Sequence, residues 1–322
     1  MRFLGVGAVV LCGLLTGAQP AVADYARVAT VAPDDDIALT GAAVAVGSTP
    51  KGGRSALALH GLDGSIRPVS IPQPARFVEE LQASTSALAL LTQTSTGGSA
   101  GYYGPVGGPL RRLPRTWVDV DVTGDTVVSL HRRPEDRGRL ELRDVRTGKV
   151  RRINVRGTRV AIVTAAGRYA AYATNFATGR ETTVVVNLAT GREHYRVRTP
   201  SRSTGYGVAS NGRLWFVSHD RGVMTASRTR PRPRMVARMR AQPYEFAVGP
   251  GGIVVSRVGT DGAQAALVKQ DGSVRALTPS LPGGVGALAY DGATLAFATG
   301  SCVFAGPLAD APPVALDGCV TG

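Results

Sequence analysis

The sequence predicts an all-β protein folded as a single β-propeller of about seven four-stranded blades, with six or eight blades as the fallback. The first observation is a short turn that recurs with a mean spacing of about 42 residues, within the range of propeller blade repeats. The turn falls at Gly41, Ser84, Gly124, Gly167, Gly212, Gly251 and Gly292. The second observation is that many runs between these turns are apolar at consecutive positions, as in Val184-Val185-Val186. Such strands bury both faces, which packing sheets around an axis achieves.

Residues 117–155 illustrate one repeat. Four β-prone runs, at 117–122, 126–130, 139–145 and 150–155, are separated by polar turns and loops, which is the pattern of a four-stranded meander. The third turn and its flanks at 144–149 align residue by residue with 187–192 in the next repeat. Both contain a glycine at the position that needs a positive φ. Seven such units account for residues 36–322 and leave little chain for a second domain.

Two segments resemble a known class of repeat proteins. The Leu-x-Thr-Gly turn at 187–191 and the run Tyr172-Ala173-Thr174-Asn175 resemble the WD40-like, TolB-type and YVTN-type propeller repeats of bacterial envelope and secreted proteins. The resemblance covers nearly the whole chain after residue 23 and implies a propeller. The Gly-His and Trp-Asp pairs of true WD40 repeats are absent, so the resemblance concerns blade geometry and names no ligand.

The N-terminal 23 residues have the pattern of a secretory signal peptide. Arg2 precedes an apolar run at 3–15, and Ala21-Val22-Ala23 fits the small-x-small cleavage site. We therefore expect a secreted, extracytoplasmic protein that is cleaved after Ala23 and begins at Asp24. The alternatives are an uncleaved anchor, for which the run is short, and a lipid anchor at Cys12. Residues 24–35 form an N-terminal segment that we expect to add a closing strand.

Cleavage would leave two cysteines, Cys302 and Cys319. Two cysteines in an exported chain predict one disulfide bond. We expect 302–308 and 313–319 to be short strands joined by a turn at 309–312, because antiparallel pairing would then bring the two sulfur atoms together.

Several motifs with catalytic residue types occur, and none predicts a catalytic or metal site. The Gly97–Gly101 segment matches G-x-S-x-G but lies in a Ser/Thr/Gly loop without a following helix. Ser218, His219 and Asp220 are consecutive and would point to opposite faces of a strand. The run 119–124 resembles the start of a calcium loop but has Leu130 where the bidentate Glu belongs, so its Asp residues are expected to satisfy blade-end amides. No cofactor is expected.

The strongest feature is basic charge. The chain has a formal net charge of +14, with 37 Lys and Arg against 23 Asp and Glu. In a propeller all third turns emerge on one side, so basic residues near these turns should gather along one sector of the rim. We predict that they bind a polyanion. The ten residues are Arg111, Arg112, Lys149, Arg151, Arg152, Arg192, Arg228, Arg230, Arg232 and Arg234. The alternative is a solvated rim enriched in arginine by codon usage.

These observations favour a non-enzymatic binding or scaffolding module outside the cytoplasmic membrane. The expected partner is a protein or an anionic envelope polymer, with a membrane surface as a further contact, and nucleic acid is not expected. The alternative function is a propeller hydrolase or lactonase with a metal at the axial entrance. Convergence of Asp36, Glu79, Asp119 and His131 would favour that alternative.

Overall fold

The computed structural model describes residues 24–32, 35–48, 55–72, 75–94, 98–114, 117–132, 138–175, 178–200, 203–218, 222–239, 243–259, 262–309 and 316. These ranges contain β-strands and no helix, so no helix in them could span a membrane. In chain order the strands are β1 (Ala26–Thr30), β2 (Asp36–Leu39), β3 (Ala43–Ser48), β4 (Ala56–Gly61), β5 (Ile66–Val69), β6 (Ala75–Ala83), β7 (Ala87–Thr94), β8 (Ser99–Pro105), β9 (Arg111–Arg112), β10 (Trp117–Thr123), β11 (Thr126–Arg132), β12 (Gly138–Asp144), β13 (Val150–Val155), β14 (Ala161–Ala166), β15 (Tyr169–Thr174), β16 (Thr182–Asn187), β17 (Glu193–Arg198), β18 (Ser203–Val208), β19 (Leu214–Ser218), β20 (Gly222–Ser227), β21 (Arg230–Arg238), β22 (Phe246–Gly249), β23 (Gly252–Gly259), β24 (Gly262–Val268), β25 (Val274–Ala276), β26 (Leu288–Tyr290), β27 (Thr294–Thr299) and β28 (Cys302–Pro307).

The strands form seven four-stranded antiparallel sheets, so the predicted seven-bladed propeller is confirmed. Six blades are uninterrupted meanders, beginning with β2–β5 as blade one and ending with β22–β25 as blade six. Every turn from the 42-residue repeat joins the first and second strands of a blade. At Gly41 and Gly167 the φ angles are +76° and +57°, a region that a side chain disfavours and glycine accepts.

The seventh blade combines both ends of the described chain. Its sheet has the order β1-β28-β27-β26, and Ala26 pairs with Ala305 and Thr30 with Cys302. The N-terminal segment therefore supplies the outermost strand of the last blade. This pairing closes the ring by hydrogen bonds between strands that are distant in sequence.

This closure corrects one expectation from the sequence. β28 pairs with β27 on one side and with β1 on the other, so both of its edges are occupied. This leaves β28 without a free edge for the pairing that we expected between 302–308 and 313–319. Residue 319 lies outside the described residues, and the disulfide between Cys302 and Cys319 stays a prediction without the strand pairing on which we based it.

The core consists of apolar layers between neighbouring blades. In β11, Val127 packs in a cluster with Ala87 and Ala89 of blade two. Its neighbour Val128 packs in a second cluster with Tyr172 of blade four. Because successive strand residues point to opposite faces, a strand between two blades must be apolar at consecutive positions. This arrangement explains the valine runs in the sequence.

Candidate functional site

The ten predicted basic residues all lie at the outer edge of the propeller. They occupy the fourth strand of a blade or the turn that leads into it, in blades two to five, and all ten are exposed. Blade two contributes β9, which consists of Arg111 and Arg112. The turn before β13 holds Lys149, and the turn before β17 holds Arg192. Four consecutive blades thus present positive charge from equivalent positions.

The arginine-rich segment of blade five differs from the expected conformation. We expected the segment 228–234 at the third turn of blade five, but only Arg228 and Thr229 form the turn, and Arg230 begins β21. Ser227 pairs with Arg230 and Thr225 with Arg234, so residues 231–233 form a bulge opposite a single residue of β20. Proline has no amide hydrogen and is tolerated in an outer strand at a bulge, which explains how this strand accommodates Pro231 and Pro233.

Several outer-strand arginines also contact the next blade. Arg151 donates from Nη1 to the carbonyl oxygen of Ala189 at 3.0 Å, and Arg234 donates from Nη2 to that of Gln270 at 3.4 Å. Arg275 of blade six donates to the carbonyl of Ala309 at 2.7 Å. Arg151 and Arg234 each reach the third turn of the following blade, and Arg275 reaches the segment that follows β28, the third strand of blade seven. These arginines therefore tie adjacent blades together, while Arg151 and Arg234 remain exposed to solvent.

Carboxylates neutralise little of this charge. Among the described residues, Arg152 is the one member of the ten with an ion pair, from Nε to Oε1 of Glu141 at 3.1 Å. Glu141 is 1% exposed and also pairs with Arg139 and Arg143. Even this cluster has more arginines than carboxylates. The rim of blades two to five is consequently a surface of unbalanced positive charge.

The central channel has the opposite character. The first strands of the blades surround a cavity of about 440 Å³. Six acidic side chains line it, namely Asp36, Glu80, Asp119, Asp121, Glu245 and Asp291. No Arg, Lys or His is among its lining residues. Acidic side chains thus lie along the axis and the ten basic side chains lie on the rim, so the outer surface carries more of the positive charge.

Three channel aspartates also connect neighbouring first strands. Asp36 accepts the amide of Leu81 at 2.7 Å, Asp119 that of Val163 at 2.5 Å, and Asp121 that of Ala165 at 2.6 Å. In every pair the donor belongs to the next blade. The prediction that the Asp residues of 119–124 satisfy blade-end amides is therefore correct.

Burial raises the pKa of several carboxyl groups in the channel. It raises the pKa of Asp36 to about 6 and that of Asp121 to about 7, against the opposing effect of their amide donors. Burial and the nearby charge of Asp119 raise the pKa of Glu80, and a side-chain hydrogen bond joins Glu80 to Asp119. Burial and mutual repulsion therefore favour protonation of one carboxyl group of this pair.

The arrangement required by the enzyme alternative does not form. Asp36 and Asp119 line the channel, but Glu79 is exposed and His131 lies on β11, a second strand. His131 is buried, with Nε2 at 2.8 Å from Ser129 Oγ and 3.6 Å from Glu141 Oε2. Within the described ranges, no three His, Cys, Asp or Glu side chains are close enough to hold a metal ion.

The two other motifs lie partly outside the described residues. Ser99 lies at the exposed start of β8, and Gly97 lies outside the described residues. Ser218 ends β19, whereas His219 and Asp220 lie outside the described residues.

Sequence reasoning did not single out four other channel residues, namely Glu80, Tyr206, Glu245 and Asp291. The sequence carries a signal for such positions in β10, where the acidic residues Asp119 and Asp121 lie inside an otherwise apolar first strand. Glu80 was obscured by a bulge between Val78 and Glu80, which shifts the pairing of β6 with β7.

Comparisons with known proteins concern the fold alone. No protein-family model matches the sequence, and no curated protein matches it. The structure is similar to PorZ, a bacterial surface component of the type-IX secretion system of Porphyromonas gingivalis, with a TM-score of 0.59 and 13% identity. That match covers 91% of this chain but only 40% of PorZ.

Two single-propeller structures match over nearly their whole length. The β-propeller domain of the Trilobed protease from Pyrococcus furiosus has a TM-score of 0.60 and 7% identity, with 89% of this chain and 96% of that chain covered. The WD40 propeller domain of Doa1 has a TM-score of 0.57 and 12% identity, with 88% and 96% covered. No family match supports the narrower TolB or YVTN resemblance. The chain is thus a seven-bladed β-propeller similar in architecture to WD40 and other propeller domains.

Proposed function

We propose that this protein is an extracytoplasmic, non-enzymatic binding module that contacts an anionic envelope polymer through its basic rim. The observation that carries the proposal is the row of exposed arginines on the outer edges of four consecutive blades. Only one of the ten basic side chains has an ion pair among the described residues. A polymer that follows the rim would meet positive charge from blade to blade.

The electrostatics favour a polymer over a small ligand. Exposed charge pairs contribute little individually, and at physiological salt they are screened beyond about 8 Å. Useful affinity must therefore come from many contacts made together. A polyanion supplies these contacts and also releases its bound counterions, which makes binding strongly salt-dependent.

Location outside the cytoplasm belongs to the same proposal. It rests on the signal-type N-terminus with cleavage after Ala23, and the bacterial surface location named for PorZ supports it. The predicted disulfide between Cys302 and Cys319 fits an oxidising compartment. Cys302 is 1% exposed at the start of β28.

The test is polymer binding as a function of salt. Long-chain polyphosphate and dextran sulfate should bind the purified protein at about 50 mM NaCl, and affinity should fall steeply towards about 500 mM, whereas neutral dextran should not bind. Replacing Arg228, Arg230, Arg232 and Arg234 by Ser should weaken binding and reduce the slope of log affinity against log salt by about three.

A matched control separates the rim from net charge. Arg76, Arg156, Arg168 and Arg180 are exposed and lie outside the outer strands, and replacing them by Ser removes the same charge. Equal loss in both variants would mean that only net charge matters and would contradict the proposal. Binding to anionic lipid vesicles but to neither polymer would assign the surface to a membrane instead.

A further inference from the structure

A pocket of about 250 Å³ lies within the basic rim at the outer edge of blade five. It is formed by the β20–β21 hairpin together with the loop before β19 and the third turn of blade six. Three arginines line it, Arg213, Arg230 and Arg234. Ser227, Thr229 and Gln270 add polar groups. Arg213 was not among the rim residues predicted from the sequence, because it lies in the first turn of the blade, away from the arginine-rich segment.

Arg213 is the most constrained of the three arginines. Its Nε is buried and has no hydrogen-bond partner among the described residues. Burial lowers its pKa, and the charges of Arg234 and Arg230 lower it further against an opposing effect of Tyr195. A buried donor without a partner is unfavourable, so the pocket has an unmet requirement for an acceptor.

The pocket contains no compensating carboxylate. None of its lining residues is Asp or Glu. The acidic residue of the adjoining groove, Asp271, accepts hydrogen bonds from the backbone amide of Ser273 at 2.8 Å and is held in its own turn. Arg234 donates to the carbonyl of Gln270, which uses one of its five N–H groups. Three positive charges therefore face one small volume with most of their donors available.

We propose that this pocket binds a single phosphate monoester group, and that it holds the terminal phosphate of the anionic polymer at a fixed place on the rim. The inference rests on the proposed function and adds a specific subsite to it. A phosphate monoester carries close to two negative charges and three terminal oxygens, which matches several guanidinium groups better than a carboxylate with one charge does. The hydroxyls of Ser227 and Thr229 are hydrogen-bonded to each other at 3.2 Å, which leaves one hydroxyl hydrogen as a further donor.

Inorganic phosphate is the probe, measured by isothermal titration calorimetry at low ionic strength with acetate as the comparison anion. We expect phosphate to bind and acetate to bind at least about tenfold more weakly. Arg213→Gln and Arg230→Gln should each weaken phosphate binding by about tenfold or more. Arg230 is exposed, so its variant keeps the test valid if Arg213→Gln fails to fold.

The matched control is Arg238→Gln, which removes an exposed arginine from the same strand outside the pocket. Phosphate affinity should remain within about twofold of the wild type. Equal losses of phosphate affinity in Arg230→Gln and Arg238→Gln would overturn the proposed phosphate site. Equal affinities of the wild type for phosphate and acetate would overturn it as well.

The polymer assay separates this inference from the proposed function. If the wild type binds polyphosphate but not inorganic phosphate, the subsite is wrong and the rim proposal stands. If it binds inorganic phosphate at the pocket but neither polymer, the subsite stands and the rim proposal is wrong.

Discussion

Replacing Glu141 by Gln should destabilise the propeller far more than the same change at an exposed ion pair. Glu141 is 1% exposed and pairs with Arg139, Arg143 and Arg152, whose exposed fractions are 21%, 12% and 62%. Burial opposes ionisation of Glu141, but the hydrogen bond from Arg152 and the charges of His131, Arg143 and Arg139 outweigh it and lower its pKa. The carboxylate is therefore the one described anion that balances these arginines.

The magnitude follows from the burial of the two inner arginines. Arg143 also lies over the ring of Tyr103 in blade two, 5.8 Å from its centroid, so the cluster is enclosed between two blades. Removing one partner of a buried ion pair costs about 3–5 kcal/mol, because the remaining charge stays buried without compensation. The Glu193–Arg196 pair is 31% and 53% exposed, and Glu193→Gln should cost at most about 1 kcal/mol.

Urea unfolding at neutral pH, followed by the fluorescence of the buried Trp215, measures both variants. The unfolding midpoint of Glu141→Gln should shift several times further than that of Glu193→Gln. Adding Arg139→Met to Glu141→Gln should recover part of the loss, because it removes one of the unbalanced charges. Equal midpoints for the two single variants would show that the cluster is solvated and that the reasoning is wrong.

Three further predictions follow from the ring, the channel and the chain ends. Ala29→Asp places a charge at a buried position of β1 and should destabilise the closure of blade seven by about 2 kcal/mol or more. Arg27→Asp, at an exposed position of the same strand, should cost much less. Thermal unfolding of the two variants measures the difference. Burial raises the pKa of Asp121 to about 7, so its uncharged form stabilises the fold at low pH and this contribution is lost as the pH rises through about 7. Asp121→Asn should therefore become more stable relative to the wild type between pH 5 and pH 8. An unchanged difference in stability between the two proteins would contradict the raised pKa. Protein purified from the native host should begin at Asp24 by intact mass and show no free thiol at Cys302 or Cys319 after unreduced denaturation, and a retained Met1 or two labelled cysteines would refute these predictions.

The blade count could be read from the sequence because it depends on local chemistry. Most first turns hold a glycine with a positive φ, such as Gly41 or Gly167, and these glycines are visible without any tertiary information. The apolar runs at consecutive positions likewise report burial on both faces. The number of blades follows from the spacing of these local signals.

The arrangement of side chains across blades could not be read in the same way. Arg213 and Arg230 are 17 residues apart in the sequence and belong to different strands, yet they line one pocket because β18–β21 fold into one sheet. The bulge in β6 that directs Glu80 into the channel has no sequence signature of its own. The pairing expected between 302–308 and 313–319 left out β1, which comes from the other end of the described chain and occupies the second edge of β28.

The pairing of β1 with β28 has a consequence for the order of folding. Thr30 and Cys302 are in register although about 270 residues of chain separate them, so this contact closes the longest loop in the fold. Blades one to six consist of neighbouring strands and can form as local meanders during synthesis. The seventh blade must wait for β28, which makes ring closure the last step. Until then the outer edge of β28 and the inner apolar residues of β1 remain exposed, and the unfinished ring is the species in which aggregation competes with folding.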